Sequence, residues 1–408
     1  MSDSHKHKPV SSSFAQFSLM TQPEMLETSQ KEGRVYIGIP KETTLQENRV
    51  ALVPSSVMAL TSRGHRVVVE SGAGLKSNFS DRDYSEAGAD IAFSREQVFK
   101  ADVILKVAPP TIEEIDFFHH NQVLISPLQI PLISAEYILK LRQKRVIALA
   151  MEYIKDDFGT FPVVRIMSEI AGTSAILTAA ELLIGHKGQG VLLGGISGVP
   201  PSKVVILGAG VVAEFATRTA IGLGAEVRIF DNNIYKLMRL QNQVGRQLFT
   251  SVIDPHIVEQ ELRTADVAIG AIHSKSGRTP MLVSENMVMK MKPGSVIIDV
   301  SIDQGGSFET SEVTSHDNPT FIKHDIIHYC VPNIASKVPR TASYAISHII
   351  TPLLLKSEQH GNIERFLQAH PGLLHGVYTY KGCLTNAYLS QRFQIKYTDL
   401  DLLITSSL

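Results

Sequence analysis

Two glycines, and an aspartate about twenty residues further on, carry the sharpest chemical signal in this chain. In Lys203-Val-Val-Ile-Leu207 followed by Gly208-Ala209-Gly210-Val211-Val212-Ala213, the apolar run Val204 to Leu207 reads as a buried strand. Gly208 allows a tight exit from it. Gly210 has no Cβ to keep a backbone away from a pyrophosphate, and Ala213 lets the next helix approach the sheet. The helix start then offers free N–H groups and a positive dipole end to phosphate. Asp231 closes a second apolar run, where a carboxylate accepts hydrogen bonds from an adenosine ribose and opposes a 2′-phosphate. Strand, glycines, helix, second strand and terminal acid form one dinucleotide-binding unit. NAD is favoured over NADP, with Arg239 the residue that argues the other way; a tight strand-to-helix turn without a ligand is the plainer alternative.

Three further residues have the right chemistry at the right kind of place. Arg49, in Glu47-Asn-Arg-Val-Ala51, lies on the loop leaving a strand at Val35 to Ile39, where α/β sheets bind ligands. Its fork can hold a carboxylate bidentately or form a structural ion pair. Lys106 follows the strand-like Val103-Ile-Leu105, and can face a pocket or seal the strand end. Asp303 precedes Gln304-Gly305-Gly306 after the apolar run from Ser295, at the carboxyl edge of the dinucleotide sheet, as a functional or a buried structural acid.

These residues need a frame. Strand and helix patterns alternate from Val35 through Val146-Ile-Ala-Leu-Ala150, predicting a mostly parallel sheet. A long helix opened by Met167-Ser168-Glu169 and reaching about Leu183 carries the chain into the dinucleotide unit. Gly185 to Gly198 reads as a hairpin or flexible connection, since it lacks a strand-then-helix context. The βα rhythm continues through Ala265–Gly270, a helix near Ser284 to Lys292 and a strand and turn at Tyr329 to Ile334. From Ser343 a helix leads away, and two short helical patterns after Gly376 return to the first domain. The fold class is α/β, with a mobile arm over 1–33, a first domain over 34–165, a Rossmann domain over 166–342 inserted into it, and a C-terminal part over 343–408.

Composition excludes several classes. A net charge of −1 over 408 residues gives no basic surface for nucleic acid or anionic membrane. Cys330 and Cys383 are too few and too far apart for a disulfide scaffold or zinc site, which fits a reducing cytoplasm. No apolar segment free of charges reaches membrane-spanning length, and no export signal is visible. His5-Lys6-His7 is a solvated tail before it is a metal site.

Gly38-Ile-Pro-Lys-Glu42, Glu47-Asn-Arg-Val-Ala51 with Pro54, Met167-Ser-Glu-Ile-Ala-Gly172, Gly208-Ala-Gly210, Met291-Lys-Pro-Gly-Ser-Val-Ile-Ile-Asp299 and Asp303-Gln-Gly-Gly306 together resemble the alanine dehydrogenase and nicotinamide nucleotide transhydrogenase family, and its alanine dehydrogenases most. The resemblance runs from about Val35 to about Leu403. It implies two Rossmann-like doubly wound domains, the substrate domain split around the NAD-binding one, and commonly a hexamer. It implies NAD-dependent oxidative deamination of a small L-amino acid, L-alanine first, to a 2-oxo acid and ammonia. The family's carboxylate-binding Arg falls at Arg49 and its Asp at Asp303. Its Lys falls at Ala108 and its His at Gln129, so Lys106, His273 and His119-His120 are the candidate replacements. Cofactor contacts carried over are Ser168, Gly208, Gly210, Val211 and Val212 at the pyrophosphate loop, Asp231 and Lys236 at the ribose, and Ile272, His273, Asn333 and Ile334 near nicotinamide. A non-catalytic NAD-binding homologue, favoured by Ala108 and Gln129, and the soluble component of a transhydrogenase are the alternatives.

Overall fold

Apolar runs too short to alternate faces become strands covered on both sides, as parallel sheets require. The computed structural model describes residues 34–405 except 45, 131, 275–276 and 358–362. The expected arm over 1–33 therefore lies outside the described residues. The strands are β1 (Tyr36–Ile39), β2 (Arg66–Glu70), β3 (Asp90–Ala92), β4 (Val103–Leu105), β5 (Val123–Ser126) and β6 (Ile147–Ala150), then β7 (Lys203–Leu207), β8 (Glu226–Phe230), β9 (Phe249–Ser251), β10 (Val267–Gly270), β11 (Val296–Asp299), β12 (Thr320–Lys323) and β13 (Ile326–Tyr329), and finally β14 (Val377–Tyr380) and β15 (Cys383–Leu384).

They form two sheets, ordered β15-β14-β6-β5-β4-β1-β2-β3 and β12-β13-β11-β10-β7-β8-β9. β1 to β6 pair in parallel, as do β7 to β11 and β13. Each sheet has an apolar cluster on both faces. One carries Val57, Leu60 and Ile350 on one side and Phe99, Phe118 and Leu141 on the other. The dinucleotide sheet carries Ala213 and Ala216 on one side and Val258, Leu262 and Phe308 on the other.

The order reverses between β1 and β4 in the first sheet and between β7 and β10 in the second. Ligands of open α/β sheets sit outside the carboxyl ends of the strands at such points. Glu42 and Lys106 leave one; Gly208 and Ala271 leave the other.

The chain departs from its sequence-based expectations at particular elements. The long helix begins at Pro162 and ends at Ile184, with proline in its first turn, where the missing N–H has no intrahelical partner to lose. It is long and apolar enough to cross a membrane by length and composition, yet carries Arg165, Glu169 and Glu181 and packs against the helix Val211–Gly222. The strand before Asp303 stops at Asp299, whose carboxylate accepts from the N–H groups of Ser301 and Ser307 and turns the chain into a short 3-10 segment, Val300–Gln304. Beyond Gly376 two antiparallel strands, β14 and β15, accompany the two helices Ala387–Phe393 and Leu400–Thr405. Ile196 and Val199 pair across the glycine-rich connection, giving the hairpin expected there.

Candidate active site

The dinucleotide loop is built by close contacts that only small residues permit. Gly208 has φ +117°, and a Cβ on it would lie 2.4 Å from the carbonyl oxygen of Ala271, so the two loops at the switch point touch through backbone. Gly210 is the N-cap of the helix Val211–Gly222 and provides no side-chain cap, leaving the first N–H groups free. A Cβ at Gly210 would meet open space, which is room for a phosphate rather than for packing. Asp231 is buried below this loop. Its Oδ2 accepts from Ala209 N–H at 2.8 Å and its Oδ1 from Asn233 N–H at 2.8 Å. Lys236 Nζ stands 3.9 Å from Asp231 Oδ2, and Arg239 Nη2 donates to the Ala209 carbonyl at 3.3 Å.

The helix that carries Ser168 crosses the helix that follows this loop. A Cβ on Gly172 would lie 2.3 Å from the Val212 carbonyl oxygen, so one turn after Ser168 the long helix touches the dinucleotide helix backbone to backbone. The Ser168 hydroxyl donates to the Val164 carbonyl at 2.8 Å. Ile272 donates its N–H to Ser301 Oγ at 3.0 Å, and exposed His273 follows; burial of its ring and then Lys236 hold its pKa below the ordinary histidine value.

Arg49 and Asp303 come together at the junction of the two sheets. Arg49 is 5% exposed, and Glu47 occupies its side-on face, at 2.7 Å from Nε and 2.6 Å from Nη2. Nη1 donates to Met167 Sδ at 3.1 Å. A guanidinium has five N–H donors, so one on Nη1 and one on Nη2 remain for a carboxylate at the end-on face. Burial opposes the charges of both residues, but their pairing outweighs it, lowering the Glu47 pKa and raising that of Arg49. Asn333, at φ 56°, joins them to the other domain: its Nδ2 donates to Glu47 Oε2 at 2.7 Å and its N–H to Asp303 Oδ1 at 3.3 Å. Ile334 follows in a short 3-10 turn, buried against the dinucleotide sheet.

Asp303 lies at the floor of this junction, enclosed by protein on most sides while more than a third of its surface still meets solvent. The enclosure raises its pKa to about 6, against the opposing pull of the Asn333 N–H and Arg49. Solvent access and a raised pKa suit a group that handles protons near neutrality.

Lys106 departs from the expectation that it reaches towards the cleft. It is 1% exposed, with Nζ 2.8 Å from Glu42 Oε2 and 3.4 Å from Glu114 Oε1. Burial opposes its charge, but Glu42 and Glu114 together raise its pKa. Glu42 also accepts the Val107 N–H at 2.7 Å, and Arg95 pairs with Glu114 at 3.1 Å. Lys106 seals the end of β4 in a buried ionic cluster. His119 and His120 lie before β5, at its amino end and thus opposite the cleft.

Glu47, not singled out from sequence, completes the junction, while Glu42 holds Lys106 and Glu152 holds the Leu128–Gln129 backbone. Glu47, Glu42 and Glu152 each leave the carboxyl end of a strand or its loop, which is the signal that could have marked them. His316 N–H donates to Gln46 Oε1 at 2.6 Å, Gln46 Nε2 bonds Asp317, and Asn48 N–H donates to Ser336 Oγ at 3.0 Å, so both domains hold the Arg49 loop.

Residues 38–171 match the family description "Alanine dehydrogenase/PNT, N-terminal domain" and residues 174–387 match "Alanine dehydrogenase/PNT, C-terminal domain". The chain belongs to the alanine dehydrogenase/PNT family. Alanine dehydrogenase 2 of Staphylococcus aureus (strain USA300) is 40% identical over 368 residues, covering 90% of this chain and 98% of that protein. A solved L-alanine dehydrogenase superposes with a TM-score of 0.82 at 36% identity, over 88% of this chain and 99% of the other. A transhydrogenase from Sinorhizobium meliloti superposes with a TM-score of 0.72 at 26% identity, over 86% and 99%. The α/β class with two parallel-rich sheets is that of the alanine dehydrogenase/PNT family.

Proposed function

We propose that this chain is an NAD-dependent dehydrogenase of a small L-amino acid, converting L-alanine to pyruvate and ammonia. The observation that carries this reading is the meeting of Arg49 and Asp303 through Glu47 and Asn333, beside the dinucleotide loop. Similarity to alanine dehydrogenases supports an oxidoreductase acting on amino and 2-oxo acids.

Gly210, with open space above it and an uncapped helix behind, fits the pyrophosphate of a dinucleotide. Asp231, already accepting from Ala209 and Asn233, still has lone pairs for a ribose hydroxyl and sets a negative charge against a 2′-phosphate. Ser168, Val211 and Val212 would line the pyrophosphate, Lys236 the ribose, and Ile272, His273, Asn333 and Ile334 the nicotinamide end. When bound, NAD accepts the hydride. The end-on donors of Arg49 hold the substrate carboxylate, and Asp303 orients the amine or the attacking water.

In this reading the substrate domain comprises 34–165 and 343–408, the NAD-binding domain is 166–342, and the protein is cytoplasmic and needs no membrane partner. Exposed Val164, Leu177 and Ile184 on the long helix support a homo-oligomer, a hexamer by family resemblance.

The test is NADH formation from a panel of L-amino acids at alkaline pH, after NAD and NADP binding are compared by thermal shift. Turnover with L-alanine and a larger shift with NAD are expected. NAD binding without turnover on any amino acid would favour a non-catalytic NAD-binding homologue, the reading that Ala108 and Gln129 support.

A further inference from the structure

β10 and β11 run side by side in parallel, with Gly270 opposite Asp299, so the loop after one and the turn after the other leave the same edge of the dinucleotide sheet. A Cβ on Gly270 would lie 2.5 Å from Asp299 Oδ1, which shows how closely the two exits pack. Strand pairing ends at this point. Contact between the two segments continues through side chains of the 3-10 segment Val300–Gln304. Ser301 Oγ accepts the Ile272 N–H at 3.0 Å, and at Ser274 the hold passes to Gln304.

Gln304 Oε1 accepts the Ser274 N–H at 2.9 Å, and its Nε2 donates to the Ser274 carbonyl at 3.1 Å. The backbone carbonyl of Gln304 then accepts the Thr279 N–H at 2.9 Å. One carboxamide thus matches both the donor and the acceptor of a single backbone residue, as a neighbouring strand would, and those partners fix which end of the amide is oxygen. The match is specific to an amide. A Glu would set a second acceptor against the Ser274 carbonyl, and a Leu offers neither group. Gln304 is also the chain neighbour of Asp303, and Ser274 of His273. The carboxamide therefore ties the loop carrying Ile272 and His273 to the turn carrying Asp303.

We propose that Gln304 is a positioning residue: its carboxamide holds the Ile272–His273 loop at a set spacing from Asp303, so that the nicotinamide end and the proton-handling carboxylate meet the substrate in one register. It acts through Ser274 rather than on the substrate. This role rests on the function proposed above, while the clamp on Ser274 does not.

Gln304→Leu removes both arms of the clamp, and Gln304→Glu, nearly isosteric, removes the donor arm alone. Amide hydrogen exchange without ligand reads the clamp. Ser274 should exchange about tenfold faster in Gln304→Leu, the size of one lost hydrogen bond, while β7 keeps its protection. Unchanged exchange at Ser274 would overturn the clamp. Ligand affinity reads the role, because NADH carries the nicotinamide end and ADP-ribose lacks it. Both variants should bind NADH about tenfold more weakly and ADP-ribose as wild type does. An equal loss of both ligands, or no loss of either, would overturn the positioning role. Saturating NAD should not restore kcat for L-alanine in Gln304→Leu, since the loop keeps the wrong spacing from Asp303; full recovery would overturn the shared register. Should Gln304→Leu not fold, Gln304→Glu carries the same comparisons. If wild type binds neither ligand, the proposed function fails, and the exchange of Ser274 still decides the clamp.

Discussion

Asn333 Nδ2 donates to Glu47 Oε2 at 2.7 Å, tying the last turn of the dinucleotide sheet to the loop that leaves the first strand of the other sheet. Glu47 grips Arg49, and the Asn333 backbone N–H reaches Asp303, so one asparagine sets the spacing of both proposed site groups. Asn333→Ala should cost about 1–3 kcal/mol, because buried Glu47 loses a donor. It also strains alanine at a positive φ. Asn333→Gly, free of that strain, should be the more stable of the two in urea denaturation, while both raise KM.

Arg49→Ala leaves Glu47 buried and unpaired, and should lower stability by about 3–5 kcal/mol. Adding Glu47→Gln should recover part of that loss in the same denaturation measurement. Arg49→Lys keeps the charge but not the fork, and should raise KM for the amino acid with a smaller stability loss.

Lys106→Met removes the cation between Glu42 and Glu114 and should destabilise by a similar ~3–5 kcal/mol. Combining it with Glu42→Gln should restore part of the thermal midpoint. Because Lys106 faces away from solvent, kcat of the folded fraction should stay within about threefold of wild type, well short of the ~100-fold or greater effect of losing a general acid or base. A larger fall in kcat at unchanged fold would return Lys106 to the reacting centre.

Asp303 has a pKa raised to about 6 from an ordinary value of 3.8. Between those values the folded state holds more protons than the unfolded one, so the contribution of this group to stability is full below about pH 4 and falls as pH rises to about 6. Asp303→Asn should therefore gain thermal midpoint relative to wild type across that window and run parallel to it above. Wild-type turnover, if it uses the ionised carboxylate, should climb through the same pH.

Much of the frame was legible because it is written in local pattern. Val204 to Leu207, the glycines after them and Asp231 specify strand, turn and acid within one short segment, and the structure places Asp231 against Ala209. The limits of the long helix and of β11 were less legible. Pro162 starts a helix earlier than its small-residue motif suggests, and side-chain bonds of Asp299 stop a strand whose apolar pattern continues. β14 and β15 carry too few residues to announce a sheet edge by themselves.

The sequence alone determined the family, the two α/β units and the residue types at their carboxyl edges, since these follow from hydrophobic period, glycine spacing and ordered motifs. Tertiary structure decided what each charged group does. Arg49 and Lys106 look alike as cations after strands, but one meets Glu47 with its end-on donors left over, and the other is closed between Glu42 and Glu114. Glu47 and Asn333 stand far apart in the chain and meet only because two sheets are docked. Ion pairing, burial and the resulting proton affinity depend on distances of a few ångströms between such segments, and a linear pattern carries no record of them.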